Sequence, residues 1–307
     1  MIKRFLLISL LAASPLLAKG NLWSLTDARG DDYGNGALVY PMSADYTKGD
    51  LDLVRLTASR VSGGTMFEAM FARPIRIPAR QTVDGIGTQL NDVARLGFYT
   101  FNIDIYIDTD GVAGSGSTTT LPGRQVMIDP STAWEKVISL TPDPAMARQE
   151  LNRIVVRGER RRDESEGKKG IVTDDERRAL RSGVEESVFF PTQIQVNGSR
   201  VSFFVPDSFL GGEAKKDWSY VVAVSGADVI QRLDQQNRLM RRGDDSESLM
   251  ILPVTPGRPT DRFGGALERD TFMPPLVDII AVGDQKKVLS NYDADAGTPA
   301  VLTGVKP

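Results

Sequence analysis

Acidic side chains and glycines are concentrated near the N-terminus of this 307-residue chain, in a combination that suits a hard cation. The stretch DARGDDYGNGALVYP begins at Asp27 and contains Asp31, Asp32 and three glycines. Ca²⁺ takes about 6–8 oxygen ligands, and glycines allow the backbone to wrap round the ion. Acidic turns that hold no metal are also common. The segment therefore indicates a calcium loop and leaves a metal-free loop open.

Other aspartates are available to complete the coordination shell of such an ion. Asp31 and Asp32 are the favoured ligands. The remaining candidates are Asp27, Asp50, Asp52 and Asp104. Three carboxylates would suffice, because backbone carbonyls and water supply further oxygens. The DTDG sequence at 108–111 resembles an EF-hand loop only superficially, since the required glycine and terminal glutamate are missing at the right spacings.

Polar and apolar side chains alternate along residues 101–110, which predicts a strand with two different faces. Ile103, Ile105 and Ile107 fall on one face. The other face carries Asn102, Asp104, Tyr106, Asp108 and Asp110. A buried strand does not tolerate so many unpaired carboxylates, so we expect this second face to meet solvent, a cation or a polar ligand.

The composition excludes several classes of function. The chain contains no histidine and no cysteine, which rules out His-dependent triads, His-ligated zinc or haem, nucleophilic cysteine and disulfides. If the protein is an enzyme, glycoside hydrolysis by paired carboxylates is the natural candidate. The formal net charge of −3 argues against a nucleic-acid partner, which selects for a basic excess.

The N-terminus has the layout of a secretory signal peptide. A basic head at Lys3 and Arg4 precedes an apolar run from Phe5 to Ala18. We expect residues 1–18 to be removed after Ala18 and the protein to be exported to the periplasm or the exterior; a retained N-terminal anchor is the alternative. A transmembrane anchor needs roughly 20 apolar residues, so we expect none.

Residues from about 157 to 186 differ in character from the rest of the chain and predict an insertion. They contain the mixed-charge run ERRRDESEGKK, and Thr173 then precedes acidic and basic residues in the order expected of a capped helix. We expect a mobile loop with one short helix on a rim of the fold. A docking surface for another protein is the alternative.

The motifs, taken in order, resemble the C-terminal binding module of bacterial glucodextranases. This family is a β-sandwich related to surface-layer and DOMON-like sugar-binding domains. The resemblance rests on the acidic loop, the strand at 101–111 with the Gly/Ser/Thr-rich run after it, and several later segments. These segments are DLDL at 50–53, LPGR at 121–124, AWEK at 133–136, WSYVVAVSG at 218–226, FGG at 263–265, PLVDII at 275–280 and VLSNYD at 288–293.

The resemblance implies a carbohydrate ligand, and the residues that would bind it follow from sugar chemistry. Aromatic rings stack on pyranose rings, while amide, carboxylate and guanidinium groups bond to hydroxyls. The predicted ligand-binding residues are Tyr106, Trp134, Arg124 and Asp108. An ion pair between Arg124 and Asp108 or Asp110 is the structural alternative.

We therefore expect an all-β protein, a jelly-roll or DOMON-like β-sandwich with a charged, partly helical insertion. Residues 19–307 form a single binding module, and the first 18 residues form the signal peptide. The expected function is non-catalytic binding of a glycan or cell-envelope polysaccharide, with Ca²⁺ as a structural ion. A glycoside hydrolase that uses paired aspartates and an envelope scaffold that binds proteins are the alternatives. The identity of the glycan and the oligomeric state stay open.

Overall fold

A computed structural model of the chain describes residues 20–230, 248–268 and 272–307. The predicted signal peptide at residues 1–18 lies outside the described residues. The strands are β1 (Gly20–Thr26), β2 (Leu53–Val61), β3 (Gly64–Phe71), β4 (Phe101–Asp108), β5 (Val126–Ile128), β6 (Lys136–Leu140), β7 (Val188–Phe189), β8 (Ile194–Asn197), β9 (Arg200–Pro206), β10 (Ser219–Gly226), β11 (Val254–Pro256), β12 (Phe263–Ala266), β13 (Leu276–Ile280) and β14 (Ala300–Leu302). The helices are α1 (Leu90–Val93), α2 (Pro144–Ser165), α3 (Asp174–Ser187), α4 (Asp207–Leu210) and α5 (Gln285–Ser290), with a 3₁₀ turn at Pro130–Thr132.

Two five-stranded sheets form the body of the protein. The first has the order β1-β2-β3-β9-β8, and the second has the order β13-β10-β4-β6-β7. Neighbouring strands are antiparallel except β6 and β7. The β8–β9 hairpin pairs Asn197 with Arg200 and turns at Gly198-Ser199, where Gly198 has a φ of +59°. An Asn-Gly pair favours such tight turns because glycine adopts positive φ without steric cost.

A hydrophobic core lies between the two sheets. Trp23 and Phe203 contribute from the first sheet and pack on either side of Phe67, with ring centroids 5.8 Å and 5.6 Å away. Ile103 and Val222 contribute from the second sheet. Aromatic and aliphatic side chains that alternate along facing strands are what hold a β-sandwich together. The predicted β-sandwich with a charged, partly helical insertion is confirmed.

A second hydrophobic cluster covers the outer face of the second sheet. Tyr106, Val137 and Val221 belong to this face, and they pack under the helices α2 and α3 and under the segments 121–128, 249–250 and 300–302. The second sheet is therefore buried on both sides, and all eight residues of β4 are buried. The alternation predicted for β4 is confirmed, but its polar face meets this outer layer and not solvent.

The charged insertion is more ordered than the sequence indicates. Two helices of 22 and 14 residues form there in place of the single short helix that we expected, and the first already begins at Pro144. Mixed charges spaced three residues apart support helix α2, as in the pairs Arg153–Glu150 and Arg162–Glu159. The cap predicted at Thr173 is confirmed, since its side chain and Glu176 form a capping box.

The helices that the structure describes are too short or too polar to suggest a membrane span. Within residues 20–230, 248–268 and 272–307, no helix combines the length and the apolar character that crossing a bilayer requires.

Candidate metal centre

The loop between β1 and β2, residues 27–52, places its acidic side chains against the edge strand β13. The backbone amide of Asp27 donates to the carbonyl of Val54 at 3.1 Å, and the amide of Gly34 donates to the carbonyl of Val277 at 2.9 Å. Gln285, at the start of α5, donates its side-chain amide to the carbonyl of Asp31 at 2.5 Å. These contacts hold the first part of the loop, residues 27–34, in place, so the carboxylates of Asp27 and Asp31 have defined positions.

Three carboxylates meet at this place. Asp27, Asp31 and Asp278 each offer an oxygen within 4.8 Å of the oxygens offered by the other two. Asp278 was not predicted from the sequence, although a signal was present: it is the one charged residue in the apolar run PLVDII. A carboxylate in a strand that is buried on both faces needs a partner or a cation. Asp278 is fully buried.

Asp32 and Asp52 lie beside these three carboxylates, and we call the five residues Asp27, Asp31, Asp32, Asp52 and Asp278 the acidic cluster. The hydroxyl of Tyr40 and the amide of Gly49 both donate to Oδ2 of Asp32 at 2.5 Å. The amide of Gly30 donates to Oδ2 of Asp52 at 2.7 Å. Asp32 is 1% exposed and Asp52 is 3% exposed.

One carboxylate oxygen in four members of the acidic cluster lacks a hydrogen-bond partner within the described part of the chain. These shielded atoms are Asp27 Oδ2, Asp31 Oδ1, Asp32 Oδ1 and Asp52 Oδ1. A buried polar atom without a partner costs about 1–3 kcal/mol, and more when it is charged. Four such oxygens in one cluster have the chemistry of an oxygen-ligated cation site, and protein donors alone do not satisfy them.

The pKa values in the acidic cluster reflect this crowding. Burial, together with the charges of Asp31 and Asp52, raises the pKa of Asp27 to about 7. Burial and the charge of Asp27 raise the pKa of Asp278 well above its usual range. Burial also raises the pKa of Asp31 and of Asp52, and neighbouring carboxylates add to both shifts. Neighbouring carboxylates thus disfavour the ionised forms of Asp27, Asp31, Asp52 and Asp278, an effect that a divalent cation would reverse.

The acidic cluster is open to solvent on one side. Asp27 and Asp31 line a surface groove of about 510 Å³ that also contains Asp284, Gln285 and Lys306. An ion therefore has an entry path to Asp27 and Asp31, while Asp52 and Asp278 are buried and Asp32 lines a separate pocket with Tyr40 and Lys48. The donors are all oxygens, which suits Ca²⁺ and other hard cations and does not suit metals that prefer nitrogen or sulfur.

Asp104 and Asp50, which the sequence suggested as further metal ligands, lie outside the acidic cluster and have arginine partners. Asp104 is fully buried on the outer face of β4, where Arg124 donates to it at 2.7 Å and Ser139 donates to it at 2.7 Å. Asp50 accepts a hydrogen bond from Arg76 at 2.6 Å. Both carboxylates are neutralised by arginine and do not need a cation.

Tyr106, Trp134 and Arg124 are brought together by the structure, but in the interior. Tyr106 is 1% exposed, and its ring centroid lies 5.7 Å from that of Trp134. The tyrosine hydroxyl accepts a hydrogen bond from the amide of Leu121 at 3.0 Å. The indole N–H of Trp134 donates to the carbonyl of Thr119 at 3.0 Å. These aromatic rings contact protein on their faces, so neither offers a stacking surface for a sugar.

Arg124 also has a structural role in place of the predicted ligand role. Its side chain is 1% exposed, and besides its ion pair with Asp104 it donates to the carbonyls of Pro122 and Leu249 at 2.9 Å and 2.5 Å. The ion pair therefore forms with Asp104, and not with Asp108 or Asp110. Two charged residues that suggested a polar binding face in the sequence thus pair with each other in the interior.

Asp108 belongs to a second group of carboxylates, with Asp110 and Glu135. Asp108 is 3% exposed, and its Oδ1 accepts hydrogen bonds from the amides of Asp110 and Gly111 at 3.2 Å and 2.7 Å. Glu135 accepts from Thr109 at 2.7 Å. This group stabilises a turn. None of the unpartnered oxygens found in the described residues belongs to it, so it has no comparable need for a cation.

Comparison with known proteins identifies a family for this chain. No curated protein gives a significant match to this chain. A family model described as the C-terminal binding-module, SLH-like, of glucodextranase matches residues 22–304, which cover both sheets, the acidic cluster and the helical insertion. The chain therefore belongs to the family of glucodextranase C-terminal binding modules.

Proposed function

We propose that this protein is an exported, non-catalytic binding module that Ca²⁺ stabilises and whose ligand is a glycan or cell-envelope polymer. The observation that carries the binding role is the match to a binding-module family over residues 22–304. The acidic cluster carries the calcium part. Export rests on the N-terminal sequence pattern.

The ligand set for calcium consists of oxygens only. Asp27, Asp31 and Asp278 supply three carboxylate oxygens within 4.8 Å of one another. Asp32 and Asp52 each have a further oxygen without a hydrogen-bond partner. Ca²⁺ accepts an irregular shell with many oxygens, whereas Mg²⁺ demands near-ideal octahedral geometry and retains water. A crowded group of five carboxylates from three parts of the chain therefore favours Ca²⁺.

The role of the ion in this proposal is structural. The acidic cluster joins the 27–52 loop to β13, which is the edge strand of the second sheet. Neutralising the crowded carboxylates removes their mutual repulsion and fastens the loop to the sheet. The ion binds the native state only, so it stabilises folding by mass action.

The glycosidase alternative has one feature in its favour. Asp27 has a pKa raised to about 7 and lies beside other carboxylates, as the general acid of a glycoside hydrolase does. The same shift follows from a cation site without its cation, because crowding and burial cause it in both cases. The family match to a binding module favours the non-catalytic role.

Calorimetric titration of the metal-depleted protein with CaCl₂ tests the calcium part. We expect saturable binding to the wild-type protein and strong weakening in Asp31→Asn, which removes one charged ligand. Asp110→Asn is the matched control, since it removes a carboxylate from the other acidic group and should bind Ca²⁺ normally. Equal binding by both variants would place the ion elsewhere.

A glycan array probed with the mature protein, with and without a chelator, tests the ligand part. Selective binding of a glycan supports the proposal, and weaker binding after chelation links it to the ion. Incubation of bound glycans with the protein then tests for cleavage. Release of shorter products would overturn the non-catalytic role in favour of the glycosidase alternative.

A further inference from the structure

A basic groove runs between the two helices of the insertion. It has a volume of about 650 Å³, and six of its eleven lining residues are arginines, whereas Glu185 is the one acidic residue among them. The arginines are Arg148, Arg153, Arg157, Arg160, Arg177 and Arg181. This concentration of positive charge contrasts with the net charge of −3 of the whole chain.

Helical spacing directs these arginines into the groove from both sides. Arg153, Arg157 and Arg160 repeat every three or four residues along α2. Arg177 and Arg181 are four residues apart on α3. Like charges at this spacing repel one another and destabilise a helix. Where these arginines have no carboxylate partner, an anion in the groove would reduce this repulsion.

Arginines elsewhere on the same helices are paired with acids. Arg162 contacts Glu159, and Arg178 contacts Asp175; neither arginine lines the groove. In the groove, Arg153 pairs with Glu150. Among the residues that the structure describes, Arg148, Arg160 and Arg181 form no ion pair with a carboxylate. The unpaired guanidinium groups are thus selectively located on the groove side.

The groove also contains an acceptor that needs a donor. The side-chain oxygen of Asn152 is shielded from solvent and has no hydrogen-bond partner among the described residues. Val156 adds an apolar wall beside it. A ligand that matches this lining has acidic oxygens for the arginines, a hydroxyl for Asn152 and an apolar face. A sugar acid has all three, whereas inorganic phosphate lacks the apolar face and the phosphodiester backbone of DNA lacks the hydroxyl.

The groove is built on a rigid part of the fold. Leu151 and Ile154 of α2 and Val184 of α3 belong to the hydrophobic cluster on the second sheet. Asp143 caps α2, and the capping box at Thr173 holds the start of α3. Side chains on packed helices are positioned with less variation than side chains on loops, because packing restricts the rotamers of the side chains.

We propose that the groove between α2 and α3 binds an acidic polysaccharide, with the arginines contacting its acid groups and Asn152 contacting a sugar hydroxyl. This inference rests on the proposed function and specifies its ligand class as anionic. Arginine forms paired hydrogen bonds with carboxylates and phosphates, so both kinds of acidic polymer share the required chemistry.

Binding of oligogalacturonate to the full chain, measured by calorimetry, tests the inference. Neutral isomalto-oligosaccharides are the comparison. The double variant Arg160→Gln/Arg181→Gln removes one unpaired guanidinium from each helix and should weaken binding of oligogalacturonate at least about tenfold. The matched control Arg162→Gln/Arg178→Gln removes the same charge from exposed positions on the same helices, and should stay within about twofold of wild type.

A third variant separates directed hydrogen bonds from charge alone. Arg160→Lys/Arg181→Lys keeps the charge but loses the planar fork, so we expect it to bind oligogalacturonate more tightly than the glutamine variant and more weakly than wild type. Equal effects of both glutamine double variants would overturn the inference, because they would show an unspecific charge effect.

Other outcomes separate this inference from the proposed function. Binding of neutral oligosaccharides that the Arg160→Gln/Arg181→Gln change does not affect would overturn the inference and leave the proposed function intact. Single-stranded DNA or phosphatidylglycerol vesicles could bind as tightly as oligogalacturonate and lose binding together with it between about 50 and about 300 mM NaCl. That result would show a general polyanion surface and overturn the inference. Failure to bind any glycan on the array would refute both.

Discussion

Asp27 and Asp278 place carboxylate oxygens within 4.8 Å of each other, although they come from opposite ends of the chain. Asp27 follows β1 in the first sheet, and Asp278 lies in β13 of the second sheet. Two carboxylates this close repel each other when both are ionised, and the charge of Asp27 adds to the burial that raises the pKa of Asp278. The contact therefore links the two sheets in a way that depends on protons or a cation.

Removing calcium should lower thermal stability. If Ca²⁺ binds the acidic cluster, a hundredfold excess over Kd stabilises the native state by about 2.7 kcal/mol. We expect a lower Tm in EDTA than in millimolar CaCl₂, measured by scanning calorimetry. Asp278→Asn should abolish the difference, and Asp110→Asn should retain it. Identical Tm values for the wild type in both buffers would refute the structural role of the ion.

The metal-free protein should lose stability as the pH rises. The pKa of Asp27 is about 7 in the folded state against 3.8 in the unfolded state, so the folded protein holds a proton that the unfolded chain releases between these values. Stability then falls with rising pH across this window, because the native state binds more protons. Calcium affinity should rise over the same window, since the ligands must be deprotonated.

Denaturant unfolding of metal-depleted protein at about pH 5 and about pH 7.5 measures this dependence. Asp27→Asn removes one titrating group from the acidic cluster, so its stability should fall less between the two pH values than that of the wild type. A wild type whose stability falls no more than that of the variant between the two pH values would contradict the proposed coupling.

Tyr106 should contribute to stability. Its ring is buried against Trp134 under the outer layer, so Tyr106→Ala should lower the free energy of unfolding by about 3–5 kcal/mol. Tyr106→Phe keeps the ring and leaves the amide of Leu121 without its acceptor, at a cost of about 1–3 kcal/mol. Urea unfolding checks both. A Tyr106→Ala variant that folds normally and only loses glycan affinity would restore the sugar-stacking role predicted from the sequence.

The buried ion pair between Arg124 and Asp104 should be sensitive to the loss of one partner. Arg124→Met leaves the Asp104 carboxylate buried without its cation, which costs about 3–5 kcal/mol. The double variant Arg124→Met/Asp104→Leu removes both charges and should recover much of that loss. Equilibrium unfolding of the two variants measures the difference. Additive losses would show that the two residues act independently.

The insertion should behave as part of the folded module. Leu151 is 4% exposed and belongs to the hydrophobic cluster on the second sheet, so Leu151→Ala should cost about 2–5 kcal/mol. Arg162→Ala, near the end of the same helix with an exposed side chain, should change stability by less than about 1 kcal/mol. A negligible effect of Leu151→Ala would support the mobile loop that the sequence predicted.

Local patterns in the sequence determined the features that neighbouring residues control. The alternation in β4, the Asn197-Gly198 hairpin and the cap at Thr173 follow from backbone geometry over a few residues, and each was predicted correctly. The acidic loop was likewise visible, because its carboxylates and glycines are adjacent in sequence. The extent of the helical insertion was not, because its charge run has the composition of a solvated loop.

Only the tertiary structure decided which distant groups meet. Asp278 joins Asp27 because β13 lies at the edge against which the 27–52 loop folds, whereas Asp104 lies in β4, where Arg124 neutralises it. Tyr106 is buried because an outer layer from remote segments covers its sheet face. A strand's sequence shows that it has a polar face; what covers that face depends on the free energy of packing residues that are far apart along the chain.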